Sequence, residues 1–201
     1  MSEETTSESG EGSDRSIREK LYLHDTYAAM WTILTALIGA GIYLITKVIP
    51  MPYLAIGLFP LGLAPALAVV AAVGAIRGPI AGFLTGYIGE LIVNIFSTGG
   101  IVTFTLYGIA FGVLGLVSGI PSYDFTSGRS LAKMSVVSLV GLIFTALITA
   151  VIGLFVEQVA TLVAIGFQLL PLLTIGLPTV ILLTPLFVKL WDIVSVKIPW
   201  P

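Results

Sequence analysis

The chain has no cysteine and a single histidine, His24, and only 10% of its 201 residues are charged. Without cysteine there is neither a disulfide framework nor a thiolate metal site. One histidine, ahead of the first apolar run, leaves no histidine-rich metal site. A soluble domain carries about 25% charged residues, so the scarcity of charge excludes an ordinary water-exposed surface. The net charge of −2 gives no basic face for nucleic acid. The sequence also lacks a Walker A pattern, HExxH and GxSxG. A lone intramembrane acid without a histidine or a second acid is poor equipment for hydrolysis. No enzyme activity, catalytic residue, metal or cofactor is therefore expected. No basic n-region opens the chain, so no cleaved signal peptide is expected.

What is present is apolar: 57% of the residues are hydrophobic. The acids are crowded at the start, as Glu3, Glu4, Glu8, Glu11, Asp14, Glu19 and Asp25. With the serine, threonine and glycine around them they cannot bury enough apolar surface to fold alone. Residues 1–25 read as an acidic disordered tail and 26–201 as a transmembrane substrate-binding domain.

An apolar helix needs roughly 20 residues to cross ~30 Å of hydrocarbon. The first such run is Tyr27 to Thr46, a second Leu61 to Ile76, and a third starts at Pro79 and ends near Phe96. Ser97–Gly100 reads as a turn, and a fourth run covers Ile101 to Ile120. After the polar loop Pro121–Arg129, a fifth covers Leu131 to Phe155. Beyond Glu157-Gln158, Pro171, Pro178 and Pro185 interrupt the last apolar stretch. It divides into a short lid or re-entrant piece at Val159–Phe167 and a kinked sixth span at Gln168–Trp191, whose freed backbone groups need partners. Six spans put both termini on one side. Arg15, Arg18, Lys20, Arg77, Arg129, Lys133, Lys189 and Lys197 fall on that side and Lys47 alone on the other. The positive-inside rule makes the first side cytoplasmic. The predicted fold class is an all-α integral membrane protein, a six-helix bundle with cytoplasmic termini.

The most informative stretch is Gly78 to Asn94. Gly78, Gly82, Gly86, Glu90 and Asn94 recur every fourth residue, so on a helix they make one ridge. A glycine ridge lets another helix approach closely. A carboxylate within a span costs roughly 2.5–3.5 kcal/mol on insertion scales and should face the bundle interior or a wet cavity. Glu90 has no basic residue inside an outer half to pair with, Lys47 standing only at the edge. Either it bonds to neighbouring helices or it meets a cationic or donor-rich ligand. On the same outer side lies the apolar connection from Pro50 to Pro60, which is either a lid over the bundle or a segment lying in the interface. Candidate substrate-binding residues are Glu90, Asn94, Tyr53, Phe59, Tyr107 and Thr103, the aromatics being suited to stacking on a heterocycle. On the first helix, Thr32, Ala36 and Ala40 share a face. They serve either ordinary packing or an outward docking surface.

Ala36-Leu37-Ile38-Gly39-Ala40 resembles the Ala-x-x-x-Ala motif of the substrate-specific S-components of energy-coupling factor (ECF) transporters. The run Gly74, Gly78-Pro79, Gly82, Gly86, Gly89-Glu90 resembles their second-to-third helix signature, with Glu90 where aspartate is commoner. The resemblance implies a multi-pass protein of a prokaryotic cell membrane. It would capture a vitamin-like micronutrient outside the cell, among membrane lipids. It would then dock through Ala36 and Ala40 on a transmembrane T-protein coupled to two ATPase subunits, toppling to release substrate inward. The alternative is a freestanding small channel or transporter, or a membrane scaffold.

Overall fold

A computed structural model describes residues 26–48, 54–56, 59–100 and 104–195, with backbone alone for 48, 54–56 and 59–61. The tail 1–25 lies outside the described residues, as do Tyr53 and Thr103. Among the described residues six helices make the bundle: α1 Thr26–Val48, α2 Pro65–Arg77, α3 Pro79–Thr98, α4 Leu106–Gly119, α5 Gly128–Val156 and α6 Thr161–Ser195. Between α1 and α2 a small antiparallel hairpin pairs β1 Leu54–Ile56 with β2 Phe59–Leu61, in the register Leu54↔Leu61 and Ile56↔Phe59.

Four helices, α1, α3, α5 and α6, are long and apolar enough to cross a membrane. Their surfaces fit such a setting. On α1, Met30, Ile33, Leu37, Ile42 and Ile45 stand exposed, and on α5 so do Val136, Val140, Ile143, Phe144 and Leu147. A helix face this apolar would be a liability in water and is at home in hydrocarbon.

The other two are shorter than their apolar runs. At 13 and 14 residues, α2 and α4 extend only ~20 Å at 1.5 Å per residue. Pro65 stands at the tolerated first turn of α2, and Leu61 belongs to the hairpin instead. Thr105 starts α4 by accepting the Gly108 N–H at 3.2 Å, an ordinary N-cap. Hydropathy registered the apolar flanks; the caps decide where helix begins.

One residue turns α2 into α3. Gly78, at φ 98°, donates its N–H to the Gly74 carbonyl at 2.8 Å, and Pro79 opens the next helix. An L side chain rarely adopts that backbone conformation. At its far end α3 runs two residues past the expected stop, to Thr98, and is closed by Gly99 in the left-handed region.

The last helix corrects the sequence reading. Residues 161–195 form one continuous helical run, not a short piece followed by a span. Two of its stretches, Ala164–Leu169 and Thr179–Leu183, are wound as π-helix. Such bulges absorb an extra residue and relax the hydrogen-bond ladder where prolines have already opened it. The expected need for partners is visible at one point. Pro185 has no N–H to give the Ile181 carbonyl one turn back; the Ser135 hydroxyl of α5 donates to it instead, at 3.0 Å. Ser135→Ala should therefore lower thermal stability by about 1 kcal/mol, read by detergent-solubilised unfolding. No change would mean that the Ile181 carbonyl is otherwise satisfied.

Tyr43, Leu67, Val70, Ala71, Leu114, Leu142 and Val180 form the core, drawn from five of the six helices. A second cluster, Ala72, Met134 and Val188, packs with Ile76, Tyr123, Phe125 and Leu131, and so gathers the 120–127 connection at the Arg77 end. There Lys189 donates to the Phe125 carbonyl at 3.4 Å and pairs with Asp192 at 2.9 Å. Burial pushes the Tyr123 hydroxyl up to about 12, and hydrogen bonds from Thr126 hold Asp124 below the usual carboxylate range.

Candidate functional site

At the opposite end three polar side chains meet. Tyr43 and Lys47 stand four residues apart on α1 and so share a face. Glu90 faces them from α3. Its carboxylate Oε2 accepts the Tyr43 hydroxyl at 2.6 Å and forms an ion pair with Lys47. Lys47 also donates to the Tyr43 hydroxyl oxygen at 3.2 Å, closing the triad. The residue before Glu90 makes this possible. A Cβ on Gly89 would fall 2.6 Å from Tyr43 Cδ1, so glycine leaves the seat into which the Tyr43 ring fits. Tyr43 itself is 1% exposed. The Lys47 ammonium lies 5.3 Å from the Tyr43 ring centroid and 5.2 Å from that of Phe111 on α4, within cation–π range.

The expectation that Glu90 lacks a basic partner is thus corrected. Lys47, placed at the edge of the first span by its sequence position, reaches it across the α1–α3 interface. The argument for a cationic ligand, which rested on an unpaired carboxylate, falls with it.

Beside the triad is a cavity of about 210 Å³ lined by Tyr43, Thr46, Lys47, Leu63, Ala64, Pro65, Ala66, Leu67, Phe111 and Leu172. The segment leaving the hairpin forms one wall. It is tied to α6 at one point, where the Ala64 N–H donates to the Thr179 hydroxyl at 2.9 Å. Thr179 is fully buried and in turn donates to the Ile175 carbonyl at 2.7 Å.

The other candidates separate. Asn94, one turn beyond Glu90, donates to the Thr105 hydroxyl at 2.8 Å and so supports the start of α4; it does not line the cavity. Tyr107 associates with Glu157 and Gln168 and does not line the cavity. Phe59 lies in β2, and its side chain is outside the described residues. Ala36 and Ala40 are 0% and 1% exposed. They pack inside the bundle, where Thr85 of α3 bonds to the Ala36 carbonyl at 3.4 Å. Of their two readings the fold adopts internal packing, so they present no outward docking face. Sequence reasoning missed Tyr43, Lys47, Phe111, Leu67 and Leu172. One signal was available for Lys47: the topology expected from the sequence makes it the sole base on the side where the sole intramembrane acid is expected.

No family model matches the chain, and no curated protein or solved structure matches it.

Proposed function

We propose that this chain is the substrate-binding membrane component of a small-molecule uptake system of the ECF type, resident in a prokaryotic cell membrane. The observation that carries the reading is the cavity beside Lys47. An apolar helical bundle sets Lys47, ion-paired to Glu90 behind it, and Tyr43 against about 210 Å³ of space, walled on one side by the segment that leaves the hairpin. Intramembrane ionisable groups that face a cavity mark substrate paths more often than packing. In this reading all six helices cross the membrane. Both termini would be cytoplasmic. A T-protein and two ATPase subunits would supply the energy. Because Ala36 and Ala40 are buried, such a partner would meet the outward side of α1, at Ile33, Leu34 and Leu37.

Three measurements test this. Mass spectrometry of the purified, denatured protein should release a stoichiometric small molecule. Single cysteines introduced into intact cells should be labelled from outside at Thr98 and not at Ser127. Labelling at Ser127 alone would invert the topology and put the cavity on the cytoplasmic side. Uptake by the chain without any ATPase partner would favour a freestanding transporter.

A further inference from the structure

Resting on the reading of this cavity as a substrate site, we propose that its ligand is a compact molecule with an anionic, hydrogen-bond-accepting head and a flat apolar body. The head would be held by Lys47. The ion pair is asymmetric. The Lys47 side chain is 35% exposed and that of Glu90 9%. Glu90 lies behind, already accepting Tyr43 and Lys47 on one oxygen. The pole offered to the cavity is therefore the ammonium. An arriving cation would meet Lys47 before it could reach Glu90.

The ammonium has three donors. Among the described residues, Glu90 and the Tyr43 hydroxyl accept two of them. The third is available to an oxygen in the cavity, and a charge-assisted bond there is about twice as strong as a neutral one. Thr46 offers little competition as a donor, because its hydroxyl is directed at the Ile42 and Tyr43 carbonyls. The rest of the lining is aliphatic or aromatic, with Leu67, Leu172 and the Phe111 ring suited to a flat body. At about 210 Å³ the cavity is smaller than those that hold drug-sized ligands, ~300–1,000 Å³. One ring with a short head fits that size.

The test uses 4-fluorobenzoate and 4-fluorobenzylamine, similar in size and opposite in charge, followed by fluorine NMR on the full chain in neutral detergent. The benzoate should bind at least about tenfold more tightly than the amine. Lys47→Met should weaken it by a similar factor, and Lys47→Arg should hold it within about threefold. If Lys47→Met fails to fold, the wild-type preference and Lys47→Arg decide. Preference for the amine, or equal binding of both, overturns the proposal. An anionic lipid headgroup could supply the same oxygen. Lys47-dependent binding of dioleoylphosphatidylglycerol without binding of benzoate would therefore overturn a soluble ligand. If neither probe binds, the co-purified molecule decides: an anionic head supports the inference and a cationic one defeats it alone. Absence of both probe binding and any co-purified molecule defeats the substrate-site reading itself.

Discussion

Gly115→Ala is expected to abolish assembly of the bundle. Gly74 of α2, Gly82 of α3 and Gly115 of α4 meet backbone to backbone. A Cβ on Gly115 would fall 2.7 Å from the Gly82 Cα, and a Cβ on Gly82 2.6 Å from the Gly115 carbonyl carbon and 2.7 Å from the Gly74 Cα. The obstructing atoms are main chain, so no rotamer change relieves them. Overpacking usually costs about 1–3 kcal/mol where side chains can yield; here the loss should exceed about 3 kcal/mol. Size-exclusion profiles and unfolding temperature in detergent would report it. Gly41→Ala is the control, because open space surrounds that position in the interior of α1, and it should be neutral or stabilise by up to about 1 kcal/mol. A Gly115→Ala protein as stable as the control would mean that the three helices do not approach so closely.

Lys47→Met should have the second-largest effect. It leaves the Glu90 carboxylate almost fully buried with, among the described residues, only the Tyr43 hydroxyl for support. Removing one partner of a buried ion pair costs about 3–5 kcal/mol. Because Lys47 is partly open, the lower end, about 3 kcal/mol, is the expectation. Adding Glu90→Leu should recover part of that loss, since the stranded charge is then gone. A double-mutant cycle should give a coupling of about 1–3 kcal/mol. Additive losses would show that the ion pair contributes nothing to the fold.

Composition and spacing made the membrane character legible, because charge scarcity reports transfer energy directly. The Gly78-Pro79 turn was legible too: a glycine followed by a first-turn proline has few other uses between two apolar runs. The ridge of Gly82 and Gly86 was rightly placed against a helix, where it meets Gly115 and the Phe111–Gly112 backbone of α4. Other features lay beyond one-dimensional reading. Hydropathy does not resolve a hairpin or cap from the helix that follows, so α2 and α4 were drawn too long. The prolines predict a kinked sixth span preceded by a separate short piece, yet the helix runs unbroken from Thr161 to Ser195, with π-turns and the Ser135 hydroxyl taking up the strain at the prolines. A small-residue motif such as Ala36 to Ala40 has the same pattern whether its face looks inward or outward. The triad was hidden for a related reason: Lys47 and Glu90 are far apart in sequence, and only the seat at Gly89 brings Tyr43 between them.

The bond from Ala64 to Thr179 has a mechanical meaning. It fastens the peptide that walls the cavity to a turn of α6 whose own ladder is already slipped. Separating the two would leave a partly buried amide without an acceptor, a penalty of about 1–3 kcal/mol. Ala64 is also the residue from which α2 starts, so the same bond ties the cavity wall and the first turn of α2 to α6.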